Sequence, residues 1–428
     1  MTTLPWYDRI PRTRIYLKLP EILSGLAEVL SGTGMGEAKV AAFEQAFAEM
    51  MGVGEAVAQP YARIALHHLV QALSLPAGSE IIMTPITIHD IVNVLLVAGL
   101  KPIFVDINPQ TYQMDPERLT QAITPKTRAV LVTHLFGLAT DMDSIQSICQ
   151  QHGLVLLEDG SHAYNAAWKG KKLGTFGDAG FFSLSSLKAV STGYGGMVIA
   201  KDAAVLARVR NQSAQLPVVA KGHMGGILIR NLIVNLATHP TLFSWSTFLL
   251  VRWISQRSPE TIRKWQTDNP NVLRLQEIPT KWLWKFNDVQ ASLGLACLAR
   301  VKDWDEKRRA NAQILLDHLM PVAQDRLPLL VEGSHNVFWR FPFRAPEGAV
   351  FRQFMASRGV DLTTTLLPCC ATMPIFADVA QETPHAQRAV REVHFLPVHP
   401  TIHPHRIHQQ AQIVLAFLKQ KAGIHVPS

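Results

Sequence analysis

Residues 155–196 read VLLEDGSHAYNAAWKGKKLGTFGDAGFFSLSSLKAVSTGYGG. An apolar run closes on Glu158 and Asp159, Lys188 stands among serines further on, and Gly193, Gly195 and Gly196 follow it. The run has the pattern of a buried strand. The stretch AAWKGKKLGTFGDAGFFS reads as a short hairpin, a glycine-rich turn and a second strand. The chain then returns to the same sheet edge, which brings Lys188 beside Asp159.

Upstream, short apolar runs alternate with helical patterns: EAVAQ and then the helix ARIALHHLVQAL, EIIMT and IVNVLLVAG, PIFVD and PERLTQAI, AVLVTHL and DMDSIQSICQQ. This order predicts an α/β fold whose mostly parallel central sheet is covered by helices on both faces. Such sheets bind ligands at the carboxyl ends of their strands. Pro85, Asp106, His134 and Asp159 fall there. Downstream come the long helical stretch NDVQASLGLACLARVKDWDEKRRANAQILLDHL and a smaller α/β unit, with VFWRFPF as a strand, AVFRQFMASRG as a helix and a last helix near Arg406 to Lys419. The expected divisions are an arm and helix (1–35), a large cofactor-binding domain (36–214), an atypical apolar insertion (215–280), and a long helix with a small C-terminal domain (281–428).

Hydrophobic residues make up 48% and charged residues 17% of the 428 positions, enough for a sizeable core. Lys and Arg total 41 against 33 Asp and Glu, a net charge of +8 that favours anionic ligands. There is no dense basic run with interleaved aromatics and no zinc-finger spacing, so nucleic acid is not an expected partner. Cys149, Cys297, Cys369 and Cys370 form no CxxC, which fits a reducing compartment. The first residues carry no long apolar stretch of the secretory type. Residues 231–251, NLIVNLATHPTLFSWSTFLLV, bear no formal charge and are long enough to span a bilayer. The breaker Pro240, two asparagines and His239 favour instead a hydrophobic hairpin, packed on the protein or lying in a membrane interface.

A free lysine amine has a pKa near 10.4, so at neutral pH only about one in a few thousand is nucleophilic. Burial lowers that value, and condensation with an aldehyde removes the ammonium altogether. Pyridoxal phosphate suits such a lysine. Its ring is an electron sink only while the pyridine nitrogen stays protonated, which needs a carboxylate such as Asp159. His162 can touch the ring oxygen or orient Asp159, and Ser183 and Ser185 offer hydroxyls to a phosphate. The competing reading is a structural Asp159–Lys188 ion pair in a Rossmann-like domain, although no GxGxxG follows the first strand.

The quoted stretch resembles the core of the pyridoxal-phosphate sugar aminotransferases of the DegT/DnrJ/EryC/StrS group, within the fold type I aspartate aminotransferase superfamily. Weaker collinear similarity covers AGLKPIFVDINPQTYQMDPERLTQAITPKTRAVLVTHLFGLATDMDSI upstream, and FNDVQASLGLACLARVKDWDEKRRANA and REVHFLPVHPTI downstream. Carried over, Lys188 matches the lysine that bonds to the cofactor aldehyde and shuttles the proton. Asp159 matches the partner of the pyridinium nitrogen, His162 the group beside the ring and its phenolic oxygen, and Ser183 a phosphate ligand. Ala62 and Arg63 fall where the family has Gly-Thr at a helix start, a second phosphate contact. His89, in a run PITIHDIVN one residue shorter than the family's, is the expected stacking group. Tyr194 replaces a Glu, and Lys285 falls near a position that reaches the opposite subunit.

The resemblance implies a homodimer, an amino acid donor such as glutamate, and a keto acceptor, commonly a nucleotide-linked sugar. A cytoplasmic enzyme is expected, with peripheral contact at the inner membrane surface, or with a lipid-like substrate, through residues 225–255. Alternatives are a cofactor-binding regulator without turnover and a dehydratase, although the group's dehydratases carry His where Lys188 stands. His399, His403, His405 and His408 read as structural, not metal-binding. Cys369-Cys370 lies in a loop expected to face the substrate.

Overall fold

The computed structural model describes residues 3–258, 272–364 and 367–421. Residues 259–271 of the expected insertion lie outside the described part. Seven strands form the central sheet: β1 (Val57–Gln59), β2 (Glu80–Met83), β3 (Lys101–Phe104), β4 (Thr127–Thr133), β5 (Val155–Asp159), β6 (Ala179–Ser183) and β7 (Gly196–Ala200). Their spatial order is β1-β7-β6-β5-β4-β2-β3. The pairs from β3 across to β6 are parallel. β7 runs antiparallel to both β6 and β1. The run EAVAQ thus points the same way as β2 to β6, as the alternation predicts, but at the sheet edge it pairs with β7, the one strand of this sheet that runs against the rest.

β2 and β4 are buried over nearly their whole length because helices cover both faces. The helices Ala62–Leu73, His89–Val97 and Met142–Gln151 follow β1, β2 and β4, as the alternating pattern predicts. Register aligns the strand ends: Thr133 sits opposite Asp159, and Asp159 opposite Phe181. One core lies between helix and sheet, through Leu66, Leu69, Ile81 and Met83, and runs on without a break into Phe343, Phe395 and Phe417 of the C-terminal region. Another holds Phe43, Phe47, Phe182, Met197 and Val289 on the opposite face.

The long helix is Asp288–Ala323, opened by an Asn287–Gln290 capping box. Beyond it, β8 (Phe341–Arg344), β9 (Thr363–Thr364) and β10 (Val393–Leu396) form a small antiparallel sheet with β10 central. The expected strand VFWRFPF becomes a strand only from Phe341. Its first half crosses to the large sheet instead: the Val337 N–H donates to Gly137 O at 2.9 Å and the Arg340 N–H to Phe136 O at 3.1 Å. Gly137 permits this crossing. It adopts φ 77°, and a Cβ there would meet the Trp339 nitrogen at 2.6 Å and the His162 carbonyl at 2.9 Å.

The apolar segment folds as two helices. Lys221–Ala237 ends at Thr238, and from Pro240 a second helix runs to Arg257, with a π-wound turn at Phe243–Thr247. Pro240 divides them, as its missing N–H requires. No helix among the described residues is long and apolar enough to cross a membrane.

Candidate active site

Successive side chains in β5 point to opposite faces of the sheet, so its two terminal carboxylates have separate surroundings. Glu158 accepts the amides of Gly174 and Gly177, each at 2.6 Å, and pairs with His134 Nε2 at 2.8 Å. It thereby holds the glycine turn that leads into β6. Asp159 Oδ1 accepts the Ser161 N–H at 2.9 Å. Burial pushes the Asp159 carboxyl up, against the pull of the Ser161 donors and of the Lys188 and His134 charges.

Ser183 ends β6, and its N–H donates to Ser161 Oγ at 2.9 Å. The chain then turns, with the Lys188 N–H donating to Ser185 O at 2.9 Å. The Lys188 amine lies 4.3 Å from the centroid of the Trp339 ring. That ring is stacked on His162, with centroids 4.0 Å apart and planes 13° from parallel. Its indole N–H donates to Leu187 O at 3.0 Å, which fixes it in place. Burial, then the charges of Lys188 and Arg340, hold the His162 imidazole well below its usual range. His162 is neutral, and its Nδ1 accepts the Phe136 N–H at 3.4 Å, leaving the proton on Nε2.

Arg340 also lies on the Trp339 ring, its guanidinium carbon 4.7 Å from the centroid. Its Nη1 donates to Arg12 O at 3.2 Å. Among the described residues no carboxylate pairs with it, whereas Arg12 pairs with Asp361 at 2.5 Å and Arg308 with Asp305. Burial and the charges of Arg308 and Arg12 push Arg340 down to about 10, so it remains a cation at neutral pH.

The other expected ligands gather at the start of the helix Ala62–Leu73. No side chain caps it, and uncapped helix amides form a natural anion site. Gly196, paired with Ser183 across β6 and β7, packs so tightly here that a Cβ would lie 2.6 Å from the Tyr61 carbonyl carbon and 2.7 Å from the Ala62 nitrogen. Ser183 and the helix start thus lie close together. Arg63, however, is already matched. It forms an ion pair with Asp90, and its guanidinium lies 4.8 Å from the Tyr61 ring centroid and 4.5 Å from that of Trp282. His89 is buried with Nε2 3.3 Å from Asp90 Oδ1, so it joins the Arg63 group. The ring in contact with the Lys188 amine is Trp339. Tyr194 backs the helix start, its ring 5.2 Å from that of Tyr61.

The donor set fits pyridoxal phosphate. Lys188 offers an amine, Asp159 a buried carboxylate, His162 a neutral ring, and Ser183 with the amides of Ala62 and Arg63 donors for a phosphate, brought close together by Gly196. Trp339, Arg340 and Glu158 were not singled out from sequence; only the carboxylate pair Glu158-Asp159 carried a signal there. Asp106 accepts the amides of His385 and Ala386, each at 2.8 Å, and so caps a helix. Lys285 pairs with Glu37 at 3.0 Å. His399 is buried, its ring nitrogens bonded to Thr401 at 2.9 Å and Pro11 O at 3.2 Å. Cys369 and Cys370 are unbridged, and Cys370 donates its N–H to Pro85 O at 2.7 Å, which draws their loop to the β2 end. Among the described residues no cluster of His, Cys, Asp and Glu could hold a metal.

The chain is 36% identical over 168 residues to a GDP-perosamine synthase of Caulobacter vibrioides, an alignment over 39% of this chain and 45% of that protein. It thus spans less than half of that relative's length. A pleiotropic regulatory protein of Geobacillus stearothermophilus is 26% identical over 344 residues, 79% of this chain and 78% of that one. The crystal structure of the aminotransferase TlmJ from Streptoalloteichus hindustanus superposes with a TM-score of 0.73 at 22% identity, over 96% of this chain and 100% of that one, and so shares the fold. The sequence model of the DegT/DnrJ/EryC1/StrS aminotransferase family, whose enzymes are pyridoxal-phosphate-dependent, matches residues 20–220 and 280–415, and the chain belongs to that family.

Proposed function

We propose that this chain is a pyridoxal-phosphate-dependent aminotransferase that moves an amino group from an amino acid, glutamate first among them, to a keto group on a nucleotide-linked sugar. The observation that carries this reading is the meeting of Lys188, Asp159 and His162 at neighbouring strand ends. When bound, the cofactor supplies an aldehyde carbon and an electron-accepting ring. Lys188 would hold that carbon through Nζ, and its amine would take up and return the proton at the substrate carbon. Asp159 would accept the N–H of the ring nitrogen and so keep it positive, which would also offset the cost of a buried carboxylate. His162 donates Nε2–H toward the ring oxygen. Ser183 and the amides of Ala62 and Arg63 receive the phosphate.

Arg340 binds the carboxylate of the amino donor. A planar guanidinium meets a carboxylate through two parallel hydrogen bonds, and Arg340 is the cation beside Lys188 that no carboxylate among the described residues answers. The sugar acceptor is supported by the family and by the perosamine synthase relative. The +8 charge suits a diphosphate. A homodimer and contact of residues 225–255 with a membrane surface belong to the same proposal.

The regulatory relative favours a second reading, a protein that holds the cofactor without turnover. One experiment separates the two. Glutamate is added to the purified, coloured protein while its visible absorbance is followed. Loss of the cofactor band with release of 2-oxoglutarate supports the aminotransferase. A band that persists with every amino acid tried supports the regulator. A protein that takes up no cofactor removes both.

A further inference from the structure

Residues 221–279 fall between the two matched stretches of the family model, so the two-helix hairpin lies outside the core that the family model describes. Its inner face is satisfied by the rest of the protein. Met224, Leu228, Phe243 and Phe248 are buried. Asn235 donates to Leu17 O at 2.7 Å, Arg14 to Thr238 O at 2.7 Å, and Arg9 to Ser244 O at 3.0 Å. The hairpin is thus fastened to residues 9–17 along its length.

The outer face is apolar at helical spacing on both helices. Ile229, Ile233 and Leu236 project from the first. Leu242, Trp245, Leu249 and Trp253 project from the second, with Trp245 61% and Trp253 52% exposed. Trp6 extends the patch, its ring 4.4 Å from that of Trp245. A soluble monomer rarely leaves so continuous an apolar surface to water.

Charge indicates what covers it. No Asp or Glu occurs between Asp202 and Glu260, while Lys221, Arg230, Arg252 and Arg257 all do. Arg9 lies near enough to Arg252 to feel its charge. The Arg257 guanidinium lies 4.4 Å from the centroid of the exposed Trp253 ring. The carboxylate nearest along the arm, Asp8, is held by Arg406 and His405. A second copy docked through this face would set the same cations against themselves, because an isologous contact places a patch on itself. An anionic bilayer has the opposite charge and accepts tryptophan at its headgroup boundary.

We infer that the outer face of residues 221–257, with Trp6, docks on an anionic lipid surface, lying along the interface without crossing it. This names the partner for the membrane contact proposed above and stands independently of the chemistry at Lys188.

The test is co-sedimentation of the cofactor-loaded protein with vesicles of phosphatidylcholine, alone or mixed with phosphatidylglycerol. The protein is expected to pellet with the mixed vesicles, less so in high salt, and its tryptophan emission to be quenched by brominated lipid. Arg252→Gln should weaken partition to the mixed vesicles about fivefold, the worth of one charge (~1 kcal/mol) near such a surface. Trp245→Glu with Trp253→Glu should abolish it while the glutamate-induced absorbance change persists. Wild-type protein left in the supernatant and unquenched with both vesicle types overturns the inference. So does a fall in particle mass in the double variant, which would show that the face joins protein copies. Quenching of the wild type needs no variant to fold, and failure of the absorbance change alone would count against the catalytic reading and not this one.

Discussion

The two ends of the candidate pocket treat their arginines in opposite ways. At the helix start, Arg63 is neutralised by Asp90 and enclosed by the Tyr61 and Trp282 rings. At the strand ends, Arg340 shares the Trp339 ring with Lys188 and has no carboxylate partner among the described residues. A buried charge is costly unless something answers it. A matched arginine is therefore scaffold, and an unmatched one awaits a ligand. The expected effects on turnover test that distinction, and Lys188→Ala gives the largest. On the proposed reading it removes the amine that would bond to the cofactor aldehyde, so the glutamate-induced absorbance change should vanish and no amino transfer should be measurable. Retained transfer would dismantle the whole assignment.

Asp159→Asn comes next. An amide cannot hold a ring nitrogen in its protonated form, so turnover should fall by about 10²- to 10⁴-fold while the colour of bound cofactor persists. A loss below tenfold would mean that Asp159 serves only the Ser161 turn. Arg340→Gln is smaller and more specific. A hydrogen-bonded charge contact is worth about 1.5–3 kcal/mol, so kcat/KM for the amino donor should drop roughly 10- to 150-fold. KM for the keto acceptor should stay constant, and Arg340→Lys should restore only part of the loss, because an ammonium cannot form the planar two-bond contact. An equal loss for donor and acceptor would place Arg340 with the scaffold after all.

The difference between these ends also marks how far the sequence can be read. Asp159, His162, Ser183 and Lys188 lie in one stretch whose strands, hairpin and glycine turn are local signals, and the alternation of strand and helix is enough to set them on one sheet edge. What that alternation leaves out is β7, which runs against the other strands and separates the three-residue β1 from them. Trp339 was hidden for another reason. VFWRF has strong strand propensity, but Val337 to Arg340 are diverted onto Phe136 and Gly137, a tertiary contact that overrides propensity. The Arg63–Asp90 pair is invisible in the sequence because Asp90, 27 positions away, meets Arg63 only once the helices Ala62–Leu73 and His89–Val97 are packed together.

The smallest expected effect on turnover is the most informative about that last point. If Arg63 is scaffold, Arg63→Met takes the guanidinium away from the buried Asp90, and stability should fall by about 3–5 kcal/mol in denaturant titration. Turnover per bound cofactor should change by less than roughly threefold, under 1 kcal/mol. Arg63→Met combined with Asp90→Leu removes both charges, and most of the lost stability should return, since apolar replacement of a buried pair is often neutral. A phosphate-binding Arg63 would give the reverse. The single variant would lose affinity for pyridoxal phosphate by roughly 10-fold or more, as expected for a lost charge-assisted bond. The second substitution would then rescue nothing, because the missing partner would be the ligand and not Asp90.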